Sequence, residues 1–233
     1  FKERKDAEAL IAWLWERENG SENSGTILKV EKKKETKNPP LLYNLAELQN
    51  DCSKMFKISP DQTLKVVQEL YERKLVTYPR TDARVLSTAV AKEISKNIGG
   101  LTHYEPLAAF ASEAMQAGLW KNIAKTRYVN DKQITDHYAI IPTGQGLGAL
   151  RSLPELNRKI YQVIVRRFLS IFYPAAIYQK YAVEIEVKGE HFFAGFKVLK
   201  EAGYLKVAEI PKKKKNTAGE SADRTNRLET GID

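Results

Sequence analysis

A chain of 233 residues with 38 Lys plus Arg against 29 Asp plus Glu carries a formal net charge of +9, which suggests a polyanionic partner. Its 42% hydrophobic content supplies a core and argues against wholesale disorder. A single cysteine, Cys52, excludes an internal disulfide framework, and three dispersed histidines (103, 137 and 191) argue against a metal cluster, so no metal ligand is assigned. No apolar run approaches the roughly 18 residues of a membrane span. The start, Phe1-Lys2-Glu3-Arg4-Lys5-Asp6, lacks the apolar run of a signal peptide. The expectation is a cytoplasmic protein without a membrane partner.

Along the chain, Ala7, Leu10, Ile11 and Leu14 repeat with helical spacing. A turn-rich stretch from Asn19 to Gly25 follows, and Thr26 to Lys34 reads as a strand running into a lysine-rich exposed end. Asn38-Pro39-Pro40 continues neither element. Asn44 with Glu47 has capping-box spacing, ahead of a stripe of Leu45, Leu48, Cys52 and Met55 that buries the cysteine. Ser59-Pro60-Asp61-Gln62 starts a helix facing Leu64, Val67, Leu70 and Tyr71 inward. Ser87 caps another, with Val90, Ala91, Ile94 and Ile98 inward and Gly99-Gly100 as its stop. Helices are also expected over Pro106 to Ala117 and over Pro154 to Phe172.

Beyond Pro174 the period changes to two. Tyr181, Val183, Ile185 and Val187 alternate with more polar residues, Gly189-Glu190 forms a turn, and Phe192 to Val198 returns. Tyr204 to Ile210 reads as a third strand, and residues 211–233 as a polar tail that does not pack. The pattern is β, then helical, then β again. An α+β protein follows, with a β domain split between 1–45 and 174–210 around an inserted helical domain, 46–173.

Two segments carry chemistry. Thr77-Tyr78-Pro79-Arg80-Thr81-Asp82 follows a well-signalled helix, and Pro79 holds it in a constrained turn. A tyrosine hydroxyl can attack a phosphodiester and form a phosphotyrosine. A phenol keeps its proton to about pH 10, so a neighbouring cation such as Arg80 would help. The second segment is Asp136-His137-Tyr138-Ala139-Ile140-Ile141-Pro142-Thr143. His137 could donate to a phosphate oxygen or move a proton near neutral pH. Taken singly, each also reads as ordinary structure, and spacing alone does not link His137 to Tyr78.

Together the two segments resemble the active-site signature and second motif of type IA DNA topoisomerases, closest to the topoisomerase III branch. Pro39 to Gln49 resembles that family's entry into its helical domain, and Ser59 to Arg73 the helix leading to the nucleophile. The likeness runs over about residues 5–210. It implies a small antiparallel β arch carrying an inserted, mainly helical nucleophile domain. It implies Tyr78 as the nucleophile that holds a 5′-phosphate of single-stranded DNA. Arg80 would position that phosphate and His137 would lie beside it. Glu72, Thr81 and Asp82 would line and support the site, and Gln49 and Gln68 match polar positions on flanking helices.

Ala83 stands where a serine is common in the family, and Tyr138 where a second histidine is usual. Family members also hold Mg²⁺ through an acidic Toprim domain, and this chain has no Asp-x-Asp. The expectation is therefore the central gate segment of a larger polypeptide. It would contain no cofactor of its own, partner with the Toprim and C-terminal regions, and be inactive alone, although the full reaction needs no ATP. The alternative, a non-catalytic single-stranded nucleic-acid-binding module, explains the charge but neither motif. A tyrosine recombinase would place an arginine three residues after its histidine, where this chain has Ile140. Lys32-Lys33-Lys34 and Lys212 to Lys215 are read as solvated runs, Trp13, Trp15 and Trp120 as packing residues. Arg127 and Tyr128 are candidates for base stacking.

Overall fold

In the computed structural model, residues 3–15 and 25–208 are described. Local capping sets the helices. In α2 (Leu45–Phe56) the Asn44 carboxamide oxygen accepts the Glu47 N–H at 2.9 Å. In α3 (Pro60–Glu72) the Ser59 hydroxyl accepts the Gln62 N–H at 3.1 Å. In α4 (Thr88–Leu101) Ser87 does the same for Val90 at 3.2 Å. Each cap satisfies a backbone donor that the helix itself cannot, worth about 1 kcal/mol.

The stripes behave less uniformly. Leu48 and Cys52 are buried, and burial pushes the Cys52 thiol up to about 12, which makes it unreactive at neutral pH. Met55 at the end of that stripe is exposed. On α3 the buried face is Thr63, Val66, Val67 and Leu70, so Tyr71 is turned outward instead. Helix α4 does not stop at Gly99-Gly100. A side chain on Gly100 would lie 2.1 Å from the Gly144 carbonyl oxygen, so this glycine allows a close backbone approach within a continuing helix.

The expected helix after Pro106 is a short tight turn, Glu105–Leu107, followed by α5 (Ala108–Gln116). Helix α6 (Glu155–Ser170) is the spine of the core, burying Ile160, Tyr161, Val163, Ile164, Val165, Phe168 and Leu169. Trp120 is half-buried against this core. The first helix, α1 (Arg4–Trp15), is peripheral, with Ile11 and Trp13 exposed. Trp13 is covered by the Lys188 ammonium, 5.3 Å above its ring, rather than packed in a core.

The sheet is three-stranded and antiparallel in the order β1–β2–β3, with β1 Thr26–Lys37, β2 Ala176–Val187 and β3 Glu190–Glu201. Lys32-Lys33-Lys34 lie inside β1, opposite Tyr181, Lys180 and Gln179, not on a frayed end. The hairpin turn is Lys188-Gly189, both with positive φ (52° and 80°), one residue earlier than expected. The third strand is β1, and Tyr204–Ala208, the described part of the strand expected at Tyr204–Ile210, is not a strand. Gly203 turns the chain with φ 50°, and α7 (Leu205–Ala208) docks through Val207, whose carbonyl accepts from Arg166 at 2.7 Å. The tail expected at 211–233, with Lys212 to Lys215, lies outside the described residues, as do Ile210 and the Trp15 side chain. No helix among the described residues is long and apolar enough to cross a membrane.

Candidate active site

Backbone pairing builds the site from two distant segments. Val76 bridges Pro142, the Thr77 N–H donates to Ile141 O at 3.0 Å, and the Thr143 N–H donates to Leu75 O at 3.0 Å. Threonine hydroxyls close the gaps this short ladder leaves. Thr77 Oγ1 donates to Ala139 O at 3.0 Å and accepts the Ile141 N–H at 2.9 Å. Thr81 Oγ1 donates to His137 O at 2.7 Å and accepts the Ala83 N–H at 3.1 Å. The Ala139 N–H donates to Val85 O, and the Ile140 N–H to Tyr43 O, which ties in the chain entering α2. Helix α4 supplies the last fastening, from Asn97 Nδ2 to Pro142 O at 2.9 Å.

This frame puts the Tyr78 and His137 rings 4.4 Å apart, centroid to centroid, tilted by 43°. Tyr71, turned out from α3, meets Tyr78 edge-on at 5.4 Å. The three rings open on a cleft of about 560 Å³, lined also by Glu72, Lys74, Val76, Thr77, Tyr138, Thr143 and Gln145. Tyr78 is half-buried, and its phenol oxygen makes no hydrogen bond among the described residues. Burial pushes the neighbouring Tyr138 phenol above its ordinary range, so it ionises less readily than an exposed tyrosine.

The residues singled out in the sequence divide into three groups. Tyr78, His137 and Glu72 share the cleft, and Gln68 donates to the Glu72 carboxylate at 3.2 Å. Thr81 lies behind them, 7% exposed, as a fastening for His137. Arg80, Asp82 and Gln49 are not in the cleft lining. Arg80 and the Asp82 side chain are exposed, and the Asp82 carbonyl accepts from Asn44. Gln49 donates to Pro60 O at 3.0 Å, where α2 meets α3.

Tyr128 is not available for stacking. It is 5% exposed, and its hydroxyl donates to Pro39 O at 2.7 Å, beside Arg127. Three roles had no sequence signal of their own: the two hydrogen bonds of the Thr77 hydroxyl, the edge contact of Tyr71, and the presence of Lys74 in the cleft.

Beneath the site, Tyr43 donates to Asp51 at 2.7 Å, and Arg167 donates to the same carboxylate oxygen at 2.9 Å and to Leu41 O at 2.9 Å. The guanidinium also lies 4.0 Å from the Tyr43 ring centre. This cluster anchors the Pro39–Asn44 entry segment to α6.

A family model described as DNA topoisomerase matches residues 1–231. DNA topoisomerase 3 of Bacillus subtilis is 40% identical over 172 residues, which is 73% of this chain and 23% of that protein. DNA topoisomerase 3 of Bacillus thuringiensis is 35% identical over 190 residues, 80% of this chain and 25% of that protein. The chain thus spans about a quarter of the length of these curated relatives. A structure of full-length topoisomerase I from Thermotoga maritima shares the fold, with a TM-score of 0.59 and 21% identity, covering 89% of this chain and 32% of that one. The family match runs through almost the whole sequence, and the chain belongs to the type IA DNA topoisomerases and is topoisomerase III-like.

Proposed function

We propose that this chain supplies the nucleophile of a type IA topoisomerase working within a longer polypeptide. Single-stranded DNA enters the cleft, and the Tyr78 oxygen attacks a backbone phosphorus. The oxygen–phosphorus bond forms as the bond to the 3′ oxygen breaks. The phenol proton is given up, the departing 3′ oxygen gains one, and a 5′-phosphotyrosine remains. Attack by the freed 3′-hydroxyl reverses both bond changes. The phosphodiester energy is conserved in the ester, so no ATP is consumed. While the ester persists, residues 46–173 carry the broken strand on the split β domain, whose sheet is β1, β2 and β3, and another strand passes.

The observation that carries this reading is the pairing of Tyr78 with His137 across one open cleft. His137 is placed to donate to a phosphoryl oxygen or to move the phenol proton. Thr81 fixes its backbone, and Gln68 fixes Glu72 on the opposite wall. Arg80, exposed outside the cleft lining, meets the strand's backbone where it leaves. Asp82 and Gln49 stabilise adjoining turns. Among the described residues no three His, Cys, Asp or Glu gather to hold a metal ion. The residues present do not fit Mg²⁺, and no step here is routed through it. In this proposal the chain alone binds single strands but relaxes nothing, because its cleft holds only part of the machinery.

End-labelled oligonucleotides test the reading in the longer enzyme. A 3′-labelled single strand is expected to stay with the denatured protein, and a 5′ label to leave with a free 3′-hydroxyl. The reverse partition would overturn the polarity. Release of both labels would favour a module that only binds.

A further inference from the structure

Resting on the reading of Tyr78 as nucleophile, we propose that Lys74 binds the DNA phosphate in the cleft. Among the described residues it is the only lysine or arginine that lines the cleft. Glu72 is there too, accepting from Gln68, so without Lys74 an entering phosphodiester meets a carboxylate and no lysine or arginine of the lining. His137 is the third titratable side chain besides the tyrosines, and it faces Tyr78.

The backbone shows how Lys74 comes to be there. Helix α3 ends in a Schellman motif: the Lys74 N–H donates to Tyr71 O at 2.8 Å and the Leu75 N–H to Leu70 O at 2.9 Å. The residue between these bonds takes the left-handed conformation, where glycine is normally favoured. Here it is lysine, with φ 61°. Its carbonyl is pinned from the second motif by Thr143 Oγ1 at 2.5 Å. A glycine would close this helix with less steric cost, but it would leave the lining without its lysine. Lys57 and Lys188 adopt the same conformation (φ 58° and 52°), so the conformation alone singles out nothing. Lys74 is the one of the three that lines the nucleophile's cleft.

That comparison supplies the controls. Lys74→Gly removes the charge and suits the backbone, so it folds. Lys57→Gly makes the same change at the end of α2, outside the cleft. Covalent capture of a single-stranded oligonucleotide by the longer enzyme is expected to slow about 10- to 100-fold in Lys74→Gly, the loss of one charged phosphate contact. It stays near wild type in Lys57→Gly and Lys74→Arg. Oligonucleotide binding by Lys74→Gly loses about 0.7 from its slope of log affinity against log salt. Its thermal midpoint remains within a few degrees of wild type.

Wild-type capture by Lys74→Gly, with capture abolished by Tyr78→Phe, would overturn the role of Lys74 and leave the nucleophile standing. Equal losses in Lys74→Gly and Lys57→Gly would make the effect one of general charge, and overturn the proposal. Capture that survives Tyr78→Phe would overturn the nucleophile reading, and Lys74 with it.

Discussion

Tyr78→Phe is expected to abolish covalent capture of DNA by the longer enzyme, a loss of at least about 10⁴-fold that takes the adduct below detection. The change deletes one oxygen. Phenylalanine keeps the ring that packs against His137 at 4.4 Å and Tyr71 at 5.4 Å, and the lost phenol makes no internal hydrogen bond among the described residues. Stability should therefore shift by less than about 1 kcal/mol, and oligonucleotide affinity should hold. Retained affinity with no adduct separates the chemical step from binding. Gel analysis of denatured complexes reads the adduct, and fluorescence anisotropy reads the affinity.

A large effect on stability is expected at Gly144, just beyond the second motif. It sits at φ +77°, and a side chain there would lie 2.6 Å from the Asn97 carbonyl oxygen and 3.2 Å from two other backbone atoms of Asn97. Helix α4 cannot move away freely, because Asn97 also donates to Pro142 O. Gly144→Ala adds left-handed strain of about 1 kcal/mol to an overpacking cost of about 1–3 kcal/mol. Thermal unfolding should show a loss of about 2–4 kcal/mol, or about 5–15 °C for a protein of this size. Gly148→Ala, where a side chain meets nothing within 4 Å, should be nearly neutral. The loss at Gly144 also reaches the cleft, since Thr143 holds the backbone of Lys74 and Leu75.

The contrast between these glycines and the helix caps shows what the sequence makes legible. Asn44, Ser59 and Ser87 act over three residues, so their spacing alone places the helix starts. Gly100 resembles a helix stop until Gly144 is brought against it by folding. The same reason underlies the misread strand at Tyr204–Ile210. Its apolar residues could face a sheet or a helix, and only the docking of Val207 on α6 decides. Tyr128 beside Arg127 looks like a nucleic-acid contact, but its hydroxyl is satisfied by Pro39, far off in the chain.

In the cleft, Tyr78 and His137 are visible through their motifs, whereas their contact comes from Thr77 and Thr81 fastening distant segments together. Arg80 is the opposite case. Two positions from Tyr78 in sequence, it is turned to solvent outside the lining, while Lys74, four positions before, shares the cleft.

Peptide mapping of the trapped DNA adduct tests the central claim most directly. After nuclease and trypsin digestion of the denatured complex, the peptide Leu75–Arg80 should carry the nucleotide remnant, with fragmentation placing it on Tyr78, the one tyrosine in that peptide. A remnant on the peptide that contains Tyr71, or on the one that contains Tyr138, would contradict the account, as each of those tyrosines also lines the cleft.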